Sequence, residues 1–242
     1  VETTKVEQYC LECEQKYRVK SVQQILDRAK ELKIEFGCPI LEKDIYFDRL
    51  HAPVLAITDE VLRLRSSGSW YDPTELPPIP VRGKTGVLPY THILTYKGKK
   101  INDLQGVKVR AEVNLVVGDP LACCTVLQHL GYAPTLSFEK VRRLARCAVN
   151  TLKANPDKND FAMDMATRFY VPVNQINCIV CLDFLDADNH FLEIEALVQI
   201  DKVAVATQAI EYVAKMFHAE EKELRSYPQI IVDIKGRSDL IT

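Results

Sequence analysis

No stretch of the chain approaches the roughly 18 consecutive apolar residues that signal a membrane-spanning helix, so none is expected. Charge of one sign is also scarce: 31 Lys plus Arg stand against 33 Asp plus Glu, a formal net charge of -2. Such a balance supplies no sequence-wide basic field, and no nucleic-acid partner is expected. Internal repeats and low-complexity tracts are missing, which sets aside repeat architectures. The five histidines, His51, His92, His129, His190 and His218, show no ligand spacing and read as surface or packing residues. The opening, Val1 to Tyr17, is charged and lacks the apolar centre of a secretory signal, so the expected compartment is the cytoplasm. What is present is ordinary for a globular protein. With 47% hydrophobic and 26% charged residues among 242, the chain can bury a real core, and global disorder is excluded.

Eight cysteines include two CxxC pairs, Cys10 with Cys13 and Cys178 with Cys181. Both pairs fall in strand-like segments, where residues three apart point to opposite faces, rather than on the tight turns that zinc clips prefer. Free, half-buried thiols are therefore expected over structural zinc.

Tyr9 to Val19 alternates with a period of two, which predicts a strand. Ser21 then resembles an N-cap, and Val22, Ile25, Leu26, Ala29 and Leu32 recur at helical spacing up to about Phe36. Lys43 to Asp48 and Leu62 to Arg65 read as strands. Ser66 to His92 holds most of the Gly, Pro and Ser punctuation and predicts a long loop, in which Trp70 is expected to pack. Further strands are predicted at Ile93 to Tyr96, at Val107 to Val117 and at Phe138 to Leu144, with a helix from Asp119-Pro120 to about Leu130, closed by Gly131. Arg146 to Asn177 reads as an insertion, with a helical alternative over Leu144 to Leu152. Cys178 to Phe184 and Phe191 to Leu197 form a predicted hairpin around Asp186 to Asn189, followed by an amphipathic helix from Lys202 to Phe217. Strands joined directly through turns, with helices between some of them, predict an α+β fold with a large antiparallel sheet or barrel, here a single domain over residues 1–242.

Five strands share one design: Glu12-x-Glu14-x-Lys16, Arg63-x-Arg65, Arg110-x-Glu112, Lys140-x-Arg142 and Glu193-x-Glu195. On an open sheet these charges would face bulk water. If the sheet curls into a barrel of about eight strands, they line a lumen wide enough for one small ligand. Buried charges persist only when paired, hydrated or bound to something charged. Arg and Lys suit phosphate oxygens, and carboxylates suit hard cations such as Mg²⁺ or Mn²⁺. A polyphosphate with its metal satisfies both sets.

In these motifs the chain resembles the CYTH family of triphosphate tunnel metalloenzymes, which includes class IV adenylyl cyclases and thiamine triphosphatases. The resemblance is carried in order by Glu12-x-Glu14-x-Lys16, Lys43 to Asp48, Thr58 to Arg65, Thr95 to Gly98, Arg110-x-Glu112, Gly131-Tyr132, Glu139-Lys140-x-Arg142, Asp183, Phe191 to Glu195 and Arg225-Ser226-Tyr227. Its phrasing is nearest the class IV adenylyl cyclase branch. The resemblance implies a closed antiparallel eight-stranded barrel with helices packed outside. It implies metal coordination by Glu12, Glu14, Glu193 and Glu195, and a triphosphate held by Lys16, Arg63, Arg65, Lys97, Arg110, Lys140 and Arg142. Lys16, Glu112 and Asp183 are the implied catalytic set, the two acids helping with the metal or orienting its neighbours. Asn114 and Lys99 depart from the family pattern, Asn114 at a place where many members carry a third acid.

The activity expected from the resemblance is conversion of ATP to cyclic AMP and pyrophosphate, with hydrolysis of inorganic, thiamine or nucleoside triphosphate as the alternative. A non-catalytic polyphosphate-binding module and a ligand-free charged domain are the rivals from other classes. The partner expected is a triphosphate-containing small molecule, with a homodimer allowed and no membrane.

Overall fold

The computed structural model describes residues 10–51, 54–69, 91–104, 107–150, 162–163 and 175–235. Trp70 and most of the two long segments expected at 66–92 and 146–177 lie outside these residues.

Eight strands close on themselves. They are β1 (Leu11–Arg18), β2 (Ile40–Arg49), β3 (Val61–Ser69), β4 (Thr91–Lys97), β6 (Val107–Val117), β7 (Tyr132–Asn150), β9 (Gln175–Phe184) and β10 (His190–Val198). Around the barrel the order is β1, β10, β9, β7, β2, β3, β4 and β6, and β6 pairs back to β1. Every ladder is antiparallel. Three short strands add to the edges: β5 (Asn102–Leu104), β8 (Ala162–Met163) and β11 (Lys222–Glu223). The β1–β6 seam spans only Leu11 to Glu14, and β11 takes over the same edge at Lys16 and Tyr17.

The 19-residue β7 is longer than the sequence suggested, and it replaces the helical alternative over Leu144 to Leu152 with a strand as far as Asn150. Its first half pairs with β2 and its second with β9. Ala145, Cys147 and Val149 are buried at a period of two, so pairing overrides the helix-compatible local composition.

Helix α1 (Val22–Glu31) starts where the Ser21 hydroxyl accepts the Gln24 N–H, and it stops short of Phe36 because Leu32 caps it and Lys33 turns to φ 54. In α2 (Pro120–His129), Asp119 caps two N–H groups, and Gly131 at φ +84 supplies the left-handed turn that follows. Helix α3 (Val203–Met216) lays Ala206, Ala209, Ile210 and Val213 on the outer face of β1, β9 and β10, where α1 joins the same core. Helix α2 covers Phe47 and Leu64 on another outer face. No helix among the described residues is long and apolar enough to cross a membrane.

Helix α4 (Tyr227–Lys235), which the sequence reading did not anticipate, shapes the interior. Leu136 and Phe138 share a strand face with Lys140 and Arg142, and Phe191 shares one with Glu193 and Glu195. These apolar members cluster with Tyr227, Ile230 and Ile231 of α4. The inward face of the barrel is thus apolar under α4 and charged beyond it, so α4 plugs one end of a charged tunnel.

Candidate functional site

Alternation on the strands decides what the tunnel contains. Residues of one parity bury outward under α1, α2 and α3; those of the other parity converge inward. The resulting cavity of about 150 Å³ is lined by eight cations, Lys16, Arg63, Arg65, Lys97, Lys108, Arg110, Lys140 and Arg142, against five carboxylates, Glu12, Glu14, Glu112, Glu193 and Glu195. The structure therefore gathers the candidate metal-binding and triphosphate-binding residues and Glu112 around one space, with Asp183 fully buried behind the lining. The open-sheet alternative is excluded, because the charges face one another inside a closed wall.

Behind the cations stand acids that hold them in place. Asp44 grips Arg65 with both oxygens, Oδ1 to Nε and Oδ2 to Nη2 at 2.7 Å each, and Glu42 takes the third nitrogen at 2.9 Å. Asp183 grips Arg142 in the same forked way, at 2.6 and 2.5 Å, and also accepts from Lys140 at 2.9 Å and from the Tyr227 hydroxyl. Such forks fix the plane of a guanidinium as well as its place. Arg65 and Arg142 hold Asp44 and Asp183 below the usual carboxylate range, against the opposing pull of burial. Asp183 is thus committed to cations and a phenol, which makes it a group that orients the lining.

Glu42, Asp44, Lys108 and Tyr227 are members of the site to which the sequence reading gave no role, although Asp44 and Tyr227 fall within the motifs that carry the family resemblance. A signal was available for three of them: Glu42-x-Asp44 repeats the charged alternation on β2, and Lys108-x-Arg110 extends it on β6. Tyr227 offers its ring face to two ammonium groups, Lys16 at 3.7 Å and Lys140 at 4.2 Å. Lys16 also donates to the Arg225 carbonyl at 3.3 Å, and burial lowers its pKa to about 8 despite Glu193.

The carboxylates form a second neighbourhood around β1 and β10. Lys97 reaches Glu12 at 2.5 Å, Glu112 at 2.9 Å and Glu14 at 3.7 Å. Asn114 donates to Glu112 and accepts from Thr95, each at 2.7 Å, so the amide serves the carboxylate network in place of an acid. Glu193 lies 2.7 Å from Arg142 and 3.6 Å from Lys16, which outweigh burial and hold it well below the usual range. Glu195 differs. It stands directly opposite Glu14 on the β1–β10 ladder and makes no hydrogen bond or ion pair among the described residues. Burial, helped by Glu193 and Glu14 and opposed by Arg142, raises its pKa to about 7. Burial also drives Glu12 well up, with Lys97 opposing. Four carboxylates crowded together, of which Glu12 and Glu14 share Lys97 and Glu195 has no ion pair among the described residues, fit a hard divalent cation. The thiol of Cys181 joins this group: its sulfur and one oxygen each of Glu193 and Glu195 lie within 4.8 Å of one another.

At another part of the lining, Arg110 meets Asp59, 3.7 Å from its carboxylate, and Lys100 reaches the same acid at 3.4 Å. Of the two CxxC pairs, the second lies in a strand with its thiols on opposite faces, as expected, but buried instead of half-buried; Cys10 of the first pair precedes β1 and is exposed. Cys181 is in the tunnel wall and Cys178 lies on the opposite face, beside Cys147 in the outer core, and all eight cysteines are free.

Several solved structures share this architecture. A protein of Pyrococcus horikoshii, PH1819, is 22% identical, with a TM-score of 0.62 over 93% of this chain and 99% of its own. A candidate adenylate cyclase of Vibrio parahaemolyticus is 19% identical, with a TM-score of 0.62 over 93% of this chain and 98% of its own. HpAC1 of Hippeastrum, a candidate adenylyl cyclase with a dominant triphosphatase activity, is 13% identical, with a TM-score of 0.53 over 93% and 96%. At these identities the likeness is one of fold. No curated protein sequence matches the chain. The CYTH domain model matches residues 11–227, from the first residue of β1 to the tyrosine that begins α4, and the chain belongs to that family.

Proposed function

We propose that the protein is a divalent-metal-dependent enzyme that takes the triphosphate group of its substrate into the tunnel and cleaves one of its phosphoanhydride bonds. The observation that carries this reading is the enclosure of eight lining cations, several of them held in place from behind by Glu42, Asp44 and Asp183, around one space that also holds a carboxylate cluster of its own. A polyanion neutralises the first set and a hard cation the second.

Glu12, Glu14, Glu193 and Glu195 would hold Mg²⁺ or Mn²⁺, which supplies charge neutralisation at the phosphates when bound. Lys16, Arg63, Arg65, Lys97, Arg110, Lys140 and Arg142 grip the non-bridging oxygens. Phosphoryl transfer needs alignment and electrostatic stabilisation more than covalent help. Cations fixed in advance by Asp44, Glu42 and Asp183 meet that need, because little reorganisation remains for the reaction itself. Glu112 keeps Lys97 beside Glu12, and the α4 plug keeps water from one end.

With ATP held so that its ribose 3′-hydroxyl lies in line with the α-phosphorus, that oxygen bonds to phosphorus. Pyrophosphate then leaves with the bridging oxygen and its electron pair, and the hydroxyl proton passes to solvent. Cyclisation is the first reading, supported by the class IV phrasing of the motifs. Hydrolysis is the second. It is favoured by a lining in which thirteen of eighteen residues are charged, as suits a triphosphate whatever group it carries. The protein is incubated with Mg²⁺ or Mn²⁺ and ATP, tripolyphosphate or thiamine triphosphate, and the products are separated. Cyclic AMP supports the first reading and orthophosphate the second. Binding without turnover of any of the three overturns the assignment as an enzyme.

A further inference from the structure

Cys181 is the one thiol inside the charged wall. Its side chain is fully buried, it has no hydrogen-bond partner among the described residues, and Glu193 stands directly opposite it on the β9–β10 ladder. A small apolar filler would suit an apolar corner. Here the sulfur faces two carboxylates, one of them the unpaired Glu195, with all three ligand atoms within 4.8 Å of one another. That span matches the reach of donors sharing one metal ion, given metal–sulfur and metal–oxygen distances of roughly 2.0–2.3 Å.

We infer that Cys181 is a sulfur ligand beside Glu193 and Glu195, and that it tunes the carboxylate site toward transition ions such as Mn²⁺, Co²⁺ or Zn²⁺ and away from Mg²⁺. The inference rests on the proposal that these glutamates hold a divalent metal, and it deepens that proposal by assigning the metal class. Thiolate is a soft donor that Mg²⁺ does not use, whereas divalent transition ions gain by it in the Irving–Williams order. On coordination the Cys181 sulfur gives its proton to the buffer and its lone pair to the ion, with no change of oxidation state. One sulfur in an oxygen set leaves the site open to hard ions, so the effect is one of preference.

Co²⁺ is the probe. It is titrated into the wild-type protein while the sulfur-to-cobalt charge-transfer absorption in the near ultraviolet is followed. In parallel, Mn²⁺ binding is read by electron paramagnetic resonance, with Mg²⁺ and Co²⁺ as competitors. The expected result is a saturable charge-transfer band that Cys181→Ser abolishes, with Co²⁺ affinity falling about tenfold or more and Mg²⁺ affinity changing less than about twofold. Should the serine variant fail to fold, Glu195→Gln serves: the band must weaken there, since exposed thiols elsewhere would be indifferent to Glu195. Co²⁺ that displaces Mn²⁺ without any such band, or with a band unchanged in both variants, overturns the sulfur ligand and leaves the carboxylate site standing. No binding of Mn²⁺ or Co²⁺ at all overturns both.

Discussion

Arg142 and Asp183 face each other in register across β7 and β9, and the carboxylate holds the guanidinium with both oxygens while also accepting from Lys140. Each member would be a costly buried charge alone; together they form a cation set with a fixed direction. Asp183→Asn removes the charge and keeps the shape, so Arg142 and Lys140 repel with less compensation. A loss of about 3 kcal/mol is expected, as for breaking a buried ion pair from one side. Tripolyphosphate should restore more of the melting temperature in this variant than in wild type, because the ligand supplies the missing anion. Thermal melts with and without tripolyphosphate check it; equal increments would show that Asp183 does not orient a phosphate-binding set.

Arg65 and Arg110 both line the tunnel, yet they should respond differently to removal. Arg65 is the nearest cation to Asp44 and Glu42, both buried, so Arg65→Ala leaves Asp44 with Arg63 at 3.9 Å and Glu42 with Lys140 at 3.4 Å, and should cost about 3 kcal/mol of stability in addition to weakening triphosphate binding. Arg110 pairs with Asp59, which is half exposed and rehydrates readily. Arg110→Ala should therefore lower triphosphate affinity by about tenfold while stability shifts by less than about 1 kcal/mol. Calorimetric titration with tripolyphosphate, beside urea denaturation, separates the two effects.

Tyr227 joins the plug to the lining, through its hydroxyl on Asp183 and its ring beneath Lys16 and Lys140. Tyr227→Phe loses one buried hydrogen bond and should cost about 1–2 kcal/mol. Tyr227→Ala also opens a hole among Phe138, Phe191 and Ile230 and should cost about 3–5 kcal/mol. If the two variants were equally stable, the ring would not be part of the plug.

Much of this could be read from alternation alone. Glu12-x-Glu14-x-Lys16 or Lys140-x-Arg142 states in sequence that these side chains share a face, and repetition on five strands pointed to a common space. What alternation leaves undecided is which face curls inward, and a one-residue shift in register would reverse it. Closure depends on four pairs between Leu11–Glu14 of β1 and Lys108–Ala111 of β6, a contact far apart in the chain. The missed members have separate reasons. Glu42 lies one residue before a strand whose predicted limits began at Lys43, which cut the Glu42-x-Asp44 alternation in two. Helix α4 is short, and its inward residue is an aromatic whose partners come from β7, β9 and β1. The β7 extension is set by its pairing with β9, which local propensity does not report.

Glu195 and Glu12 carry the metal reading furthest. Glu195→Gln keeps the volume and removes one charge from a crowded cluster, so metal-dependent turnover should fall by at least about 100-fold. Tripolyphosphate binding without metal should persist near pH 7, where Glu195 is about half protonated, and strengthen above it, where the substitution removes a repelling charge. Glu12→Gln should behave alike in turnover but lose stability, since Lys97 then keeps only Glu112 and Glu14. Turnover at the wild-type rate in both variants would remove these carboxylates from the reaction.

Acid should loosen the protein where β11 meets the barrel. Glu223 accepts from Arg225 through Nε at 2.9 Å, Nη2 at 2.7 Å and the backbone N–H at 3.0 Å, and it lies 2.9 Å from Arg18. Hydrogen bonds from Arg225, more than charge alone, bring its pKa down to about 2. An unfolded chain titrates the same carboxyl near 4.3. The folded state therefore binds the proton less readily, so this group's contribution is complete above about pH 4.3 and disappears as pH falls through about 2. Glu223→Gln should be less stable than wild type by about 1 kcal/mol at neutral pH, given its partly exposed partners. The two proteins should converge near pH 2. Urea midpoints between pH 7 and 2 measure this gap, and a gap that stayed constant would assign the effect of Glu223 to packing instead of charge. Because Glu223 stands opposite Lys16 in the β1–β11 ladder and Arg225 supplies the carbonyl that Lys16 bonds, the same acid range should also loosen the Lys16 end of the tunnel.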